Sequence, residues 1–372
     1  MPSQKRFYHP ELDCLRFCAF FAVFLHHFLP HVTSHDHSHI EAVINSMSAG
    51  VDLFFCLSSF LITALLLREW DFSGSLDVYS FWLRRILRIW PLYFAFLLIA
   101  SLVVPWLLPD NRLGVKYLAA FILLGGNWAC GLWGYPSSVA APLWSVSLEE
   151  QFYLFWPMLI RLFRPQRLVP LAVGCLVIAT VSRIVVVQLK MPAVMLWTNT
   201  FCRLEPIALG ALFAVYVRRR TWAPRPVIRA LLLAIGAALP PVLSVLLLNT
   251  PSYTSSLYYP GVAIGCVCIL AAFYAEPAGI RQPTLVYLGR ISYGLYVFHA
   301  LAISIAFLPA SGAHQTGMKV LLLGFRFAVA LGLTIGLAAL SYRFLEEPFL
   351  RIKRKLAVIP SDPQLAPAPV SR

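Results

Sequence analysis

An imidazole and a guanidinium stand eleven positions apart in the apolar string LDCLRFCAFFAVFLHHF, as His27 and Arg16. Eleven helical steps make three full turns plus about 20°, so both side chains share one face, roughly 16 Å apart along the axis. Asp13 joins that stripe three residues before Arg16, whereas His26 points about 80° away. An imidazole can serve as general base or nucleophile near neutral pH. A guanidinium grips phosphate or carboxylate. Taken singly, a snorkelling Arg16 and an interface-anchoring His27 are ordinary. On one face, they define a line along which a base and an anion site can cooperate.

Further ionisable residues interrupt other apolar strings. Asp52 opens GVDLFFCLSSFLI, which runs back from the level of His27. A carboxylate there can fix an imidazole's tautomer, and it can also cap the helix N-terminus. Arg85 and Arg88 in FWLRRILRIWPLY are three apart and share a face. Planar guanidiniums bind phosphate bidentately, which suits a phosphorylated donor, although basic anchors at a membrane surface look the same. Glu149 and Glu150 lie inside LWSVSLEEQFYLFWP. A charge at the centre of a spanning helix costs about 2.5–3.5 kcal/mol, so such acids mark function. One reads as an acid/base or hydrogen-bonding group for a polar substrate. The pair points about 100° apart, so one of the two faces a given cavity. His299 in SYGLYVFHA reads either as a core histidine or as a substrate contact. Arg203 and Glu205 open RLEPIALG and are expected to pair with each other.

Other strings carry less. The loop HVTSHDHSH holds four histidines without a defined ligand set, so no metal site is expected there. His31 and Asp36 form an isolated HxxxxD string in that loop. P-loop, GxSxG, HExxH and DxD motifs are absent, which argues against an ATPase, a serine hydrolase, a zincin and a metal-dependent glycosyltransferase. No CxxC spacing occurs, and Cys130 and Cys202 fall in loops where they could form a disulfide.

The elements that must position these residues are membrane helices. The 372 residues are 59% hydrophobic and 12% charged, against about 25% charged in a soluble domain. Apolar segments cover 12–30, 49–67, 87–108, 115–128, 143–163, 168–189, 203–217, 226–248, 258–275, 290–309 and 319–345. Most approach the ~20 residues a spanning helix needs. Segment 115–128 is shorter, ends in Gly125-Gly126-Asn127, and reads as re-entrant or interfacial. The expected fold is all-α: a polytopic transmembrane bundle of about ten spans plus one half-span, occupying residues 1–355. A Pro-rich disordered cytoplasmic tail follows at 356–372.

The net charge of +14 would suggest nucleic acid in a soluble protein. Here the cations cluster between apolar runs: Arg68 with Arg84, Arg85 and Arg88; Arg161 to Arg167; Arg218 to Arg229; Arg281 with Arg290; and Arg351 to Lys355. The alternate loops 30–49, 190–202, 249–258 and 309–318 hold a single lysine, Lys190. Positive-inside bias places the basic clusters and both termini in the cytoplasm, with the lipid bilayer and no nucleic acid as partner. The first apolar run carries Asp13, Arg16, His26 and His27, so it reads as a span and not as a cleavable signal. No internal repeat is visible.

Six strings in order resemble the acyltransferase 3 family of integral-membrane O-acyltransferases. The family's LDGLRxxA…HH is similar to Leu12–His27, with Arg-x10-His on Arg16 and His27. Its GVDxFFxLSGFLI resembles Gly50–Ile62, RRxxRIxPxY resembles Arg84–Tyr93, and LWSLSxEEQFY resembles Leu143–Tyr153. Its SYxLYLxH resembles Ser292–His299 and its FxExPF resembles Phe344–Phe349. Cys14 and Ser59 stand where the family usually has glycine. The resemblance implies a bacterial inner membrane and acyl transfer, commonly acetyl, from acyl-CoA to carbohydrate in surface glycans, glycolipids or glycosylated small molecules. Acyl-CoA is then a co-substrate, with no cofactor bound. The resemblance also makes the Arg16 and His27 positions and the arginine pair essential to activity. The SGNH-type domain fused to some relatives is not in this sequence. A last step that needs it calls for a separate periplasmic acyltransferase.

In the expected mechanism Arg85 and Arg88, with Arg16, hold the donor phosphates. His27 acts as base or is transiently acylated, Asp52 orients it, and Glu150 binds or polarises the acceptor. Glu149, His299 and Arg203 are expected on the substrate. A transporter or flippase of a sugar or lipid-linked substrate would share the buried charges. It would not account for the basic pair, and it would favour repeats.

Overall fold

The computed structural model describes residues 9–31, 39–218, 220–247, 256–274, 282–308 and 316–355, without the side chains of 316–320 and 353–355. The histidines and Asp36 of the loop between 31 and 39, and the expected tail at 356–372, lie outside the described residues. Every regular element described is helical: α1 (Pro10–Phe28), α2 (His39–Ser46), α3 (Ala49–Ser73), α4 (Val78–Leu98), α5 (Val104–Leu107), α6 (Val115–Ile122), α7 (Gly126–Trp133), α8 (Trp144–Phe163), α9 (Leu168–Gln188), α10 (Val194–Thr198), α11 (Leu204–Val217), α12 (Pro226–Leu246), α13 (Tyr258–Tyr274), α14 (Pro283–Arg290), α15 (Ser292–Ala306), α16 (Thr316–Ser341) and α17 (Glu347–Lys355). Lipid offers the backbone no hydrogen bonds, so a chain this apolar satisfies its peptide groups within helices.

The all-helical bundle matches the expectation, and the ten full spans are matched in part. Six described stretches are long and apolar enough to cross: Pro10–His31, His39–Ser73, Val78–Leu107, Pro165–Gln188, Pro226–Leu246 and Leu321–Ile352. A seventh is possible if α14 and α15, bent by 76° at Ile291, act as one span. The other expected segments fall outside that length and apolarity for local reasons. Helix α8 is 20 residues long but carries Glu149, Glu150 and Arg161. Helices α11 and α13 have 14 and 17 residues, short for ~30 Å of hydrocarbon. The 115–128 segment is two eight-residue helices, α6 and α7. Each is about 12 Å long and too short to cross. Leu124 joins them with φ 56, in the left-handed region.

Burial separates the centre of the bundle from its rim. The apolar window in His39–Ser73 is 78% buried, whereas that in Pro226–Leu246 is 11% buried and faces outward. Helix α3 is thus the hub. It packs against α1, α11 and α13, with Phe60, Leu57, Cys56 and Leu66 fully enclosed. Two glycines set how closely helices approach α1. A Cβ on Gly50 would lie 2.4 Å from the Ala19 carbonyl oxygen, and one on Gly289 would lie 1.8 Å from that of Asp13. Small residues at such crossings let membrane helices meet backbone to backbone. Gly50 brings α3 to the His27 half of α1, and Gly289 brings α14 to the Arg16 half.

Cys130 and Cys202, the candidates for a disulfide, are buried free thiols. Gly50→Val is expected to lower the thermal unfolding midpoint in detergent, because backbone blocks the new side chain. Overpacking of this kind costs about 1–3 kcal/mol. An unchanged midpoint would contradict close α1–α3 contact.

Candidate active site

Helix α1 starts with Pro10 in its first turn, a position pre-set for helix, and runs unbroken through Arg16 and His27. Both side chains face protein. Arg16 Nη1 donates to Asp13 Oδ1 at 2.7 Å. His27 Nδ1 donates to the Val23 carbonyl at 2.9 Å. A carbonyl oxygen only accepts, so Nδ1 carries the proton and Nε2 keeps its lone pair.

That imidazole lines a cavity of about 590 Å³, which also exposes His26, Tyr135, Trp144, Trp197 and Tyr296. Asp110, Asn111, Ser48, Ser137 and Ser138 contribute polar groups from the connections at this end. Aromatic faces with scattered hydroxyl, amide and carboxylate groups suit a polar ligand with apolar faces. His299, fully buried on α15, lies beside His27 with ring centroids 4.9 Å apart and planes at 66°. Its Nδ1 donates to the Tyr296 carbonyl at 2.5 Å, and its Nε2 is buried without a partner.

The other end of α1 faces cations. Asp77 caps α4 by accepting from the Ser80 amide at 3.0 Å, and this helix carries Arg85 and Arg88. Arg85 lies between the rings of Phe81 and Tyr153, 5.4 and 5.3 Å from their centroids, and its Nε is buried and unbonded. Neither Arg85 nor Arg88 forms an ion pair among the described residues, although Arg84 pairs with Glu69 at 3.4 Å. The charges of Arg16, Arg85 and Arg88 act on one another. Three cations therefore share one region, and Asp13 is the single carboxylate bonded to any of them among the described residues.

Helix α8 connects the two ends. Trp144 lines the cavity, and Glu150 follows about 9 Å further along the axis. Glu149 accepts from Ser58 Oγ and from the Tyr153 hydroxyl. Glu150 accepts from Trp90 Nε1 at 2.8 Å, and its second oxygen is buried without a partner. Gln151 donates to Asn127 Oδ1 at 2.9 Å and to the Leu124 carbonyl at 3.0 Å, fixing the α6–α7 break. Three consecutive polar residues thus reach three different neighbours, as 100° steps require. Neither glutamate lines this cavity.

Two other expected pairings are replaced. Asp52 does not bond His27; it is buried against Arg203. Arg203 in turn lies 4.0 Å from the Trp197 ring centroid. Glu205, expected on Arg203, pairs instead with Arg183. Arg203 is enclosed behind Trp197 and does not line the cavity. The reason lies in the third dimension. Arg203 comes from the turn before α11, and α11 packs against α3.

The family-model comparison matches residues 9–343 to a model described as an acyltransferase domain. The chain belongs to the acyltransferase 3 family. This acyltransferase 3 chain is 28% identical over 330 residues to a Staphylococcus aureus (strain COL) protein named "Putative O-acetyltransferase", covering 81% of the chain and 52% of that protein. It is 26% identical over 322 residues to the peptidoglycan O-acetyltransferase OatA of Listeria monocytogenes, covering 80% and 50%. It is 28% identical over 331 residues to "Putative peptidoglycan O-acetyltransferase YrhL" of Bacillus subtilis, covering 82% and 50%. The chain spans about half the length of the curated relatives it matches. No solved structure gives a significant match.

One acid escaped the residue-by-residue reading. Glu346 sits in a π-helical turn, Tyr342–Glu346, buried, bonded by Ser341 Oγ at 3.2 Å and within the field of Arg88. Its signal was available as an acid in the FxExPF string, and π-turns recur at functional sites. The aromatic lining of the cavity had no local signal.

The Asp52–Arg203 pair allows a test. Arg203→Met strands a buried carboxylate and is expected to cost about 3–5 kcal/mol. Asp52→Leu combined with Arg203→Met removes both charges and should recover most of that loss. Thermal unfolding in detergent reads the difference, and equal midpoints for the single and double variants would show that the pair does not hold α3 against the turn before α11.

Proposed function

We propose that this protein is a membrane-embedded O-acyltransferase that moves an acyl group, acetyl in the first instance, from cytoplasmic acyl-CoA to a hydroxyl of a surface sugar. One observation carries the proposal. A single unbroken helix presents an available imidazole to a cavity at one end and joins a cluster of three arginines at the other, of which Arg85 and Arg88 form no ion pair among the described residues. Guanidiniums that no carboxylate pairs can bind a polyanion, and the phosphates of coenzyme A supply one. The basic loops favour placing that end in the cytoplasm. The names of the relatives support acetyl as the acyl group and a glycan as the acceptor.

On this reading Arg85 and Arg88 hold the donor phosphates, with Arg16 behind them. The pantetheine arm runs beside α8, where Glu149 and the free oxygen of Glu150 can take hydrogen bonds from its amides. The thioester reaches His27. Nε2 of His27 removes the proton of the acceptor hydroxyl while the oxygen attacks the thioester carbon. Asp52 and Arg203 act from behind, holding Trp197 in the cavity wall. The acceptor sugar stacks on the aromatic lining, and Asp110 and Asn111 bond its hydroxyls.

The test is acetyl transfer from labelled acetyl-CoA to peptidoglycan fragments and neutral oligosaccharides, using the full chain in detergent. No gradient exists there, so transport alone produces nothing. His27→Ala should lower kcat by about 100-fold or more, the scale of general-base contributions. Arg85→Gln and Arg88→Gln should each raise the KM for acetyl-CoA about tenfold, as loss of a charge-assisted phosphate contact does. Full turnover with His27→Ala, or acetyl-CoA affinity indifferent to both arginines, would overturn the assignment.

A further inference from the structure

His299 is packed on three rings. Phe20 meets it edge-on at 6.4 Å, Tyr296 lies 5.4 Å away, and His27 lies 4.9 Å away, centroid to centroid. Phe20 offers no polar atom. The Tyr296 hydroxyl is already engaged with Ser145 Oγ at 2.6 Å and the Pro142 carbonyl at 3.1 Å. His27 is therefore the one ring neighbour that can satisfy the orphaned Nε2 of His299. At 4.9 Å between centroids the two imidazoles are neighbours, so a turn of either ring can bring one Nε2 toward the other.

As the rings stand, they cannot bond. Each gives its Nδ1 proton to a backbone carbonyl, Val23 for His27 and Tyr296 for His299. Each therefore turns an unprotonated Nε2 to its surroundings. Two lone pairs brought toward each other repel. A buried acceptor left without a donor costs about 1–3 kcal/mol. One proton delivered to either Nε2 turns that repulsion into a charge-assisted hydrogen bond. The gain is absent before proton transfer and present during it, which is the form of stabilisation that accelerates a reaction.

We propose that His299 is a positioning residue for His27, holding jointly with it the proton that leaves the acceptor hydroxyl. The proposal rests on the acyl-transfer reading above and goes beyond a substrate contact for His299. The step balances. The acceptor O–H breaks and its proton moves to Nε2 of His27, where Nε2 of His299 shares it. The acceptor oxygen bonds the thioester carbon, the C–S bond breaks with its electron pair going to sulfur, and the shared proton passes to that thiolate. The products are the O-ester and free coenzyme A thiol, and both imidazoles return neutral.

Two conservative variants separate this role from a structural one. The amide nitrogen of asparagine stands near Nδ1 and can keep the bond to the Tyr296 carbonyl. The amide oxygen of glutamine reaches the Nε2 position and can accept a hydrogen bond from protonated His27. Shared-proton support therefore predicts that His299→Gln keeps more activity than His299→Asn. With labelled acetyl-CoA and peptidoglycan fragments, kcat should fall about tenfold for Gln and about 100-fold for Asn, with KM for acetyl-CoA little changed. A purely structural histidine predicts the reverse order. Asn equal to or above Gln, or wild-type kcat in both, would overturn the proposal.

A second readout needs no variant and no turnover. Wild-type protein carrying isotope-labelled histidine should show a through-hydrogen-bond coupling between the two Nε2 nuclei once the pair holds a proton. Its absence at every pH where either ring is charged would also overturn the proposal. Should the wild type fail to transfer acetyl to any acceptor, the acyl-transfer reading falls, while this coupling still reports on the imidazole pair.

Discussion

Taking a charged side chain out of water costs several kcal/mol unless a partner replaces the lost hydration. This bundle buries such groups on most of its central helices, and their pairing organises the molecule. Asp52 with Arg203, Glu205 with Arg183 and Glu69 with Arg84 are ion pairs between different elements. Each fixes one helix or turn against another where shape alone would leave apolar surfaces free to slide. Among the described residues, Nε of Arg85, one oxygen of Glu150 and Nε2 of His299 are buried without a hydrogen bond, as are Oδ2 of Asp52, Nε of Arg203 and the Glu205 carboxylate within the ion pairs. Arg85 Nε, the Glu150 oxygen and His299 Nε2 lie outside those pairs, and on the proposed function a ligand or a moving proton completes them.

The open groups are separated by depth. The imidazoles lie at the cavity end and the arginines at the other, with the glutamates of α8 between them. Helix geometry makes the spacing rigid, because Arg16 and His27 belong to one uninterrupted rod. Close crossings at Gly50 and Gly289 hold that rod to α3 and α14. A polyanionic group and a transferable acyl group joined by a long arm fit such a span. A compact donor would not need it.

The aromatic wall extends the same logic. Trp197 reaches the cavity with Arg203 stacked behind it, and Arg203 is neutralised by Asp52. The acid that a motif reading places beside the base serves instead, two contacts away, as support for the wall. His27 obtains its tautomer from its own helix, through the Val23 carbonyl, and needs no carboxylate for that purpose.

Local pattern was sufficient for much of this. Apolar length and loop charge identify a helical membrane chain, and the eleven-residue spacing of Arg16 and His27 puts both on one face, because helix periodicity is a property of consecutive residues. The same holds for the break at 115–128 and for the divergence of Glu149, Glu150 and Gln151. The count of full spans was less legible, since a helix rich in acids or only 14 residues long can be sheltered by neighbours that the one-dimensional pattern does not contain. Partner choice was not legible at all. Asp52 meets Arg203, Glu205 meets Arg183, and His27 meets His299 because α3 packs on α11, α11 on α9 and α1 on α15. Electrostatic and hydrogen-bond partners depend on distance in space, which the spacing of residues within one helix determines and the spacing between helices does not.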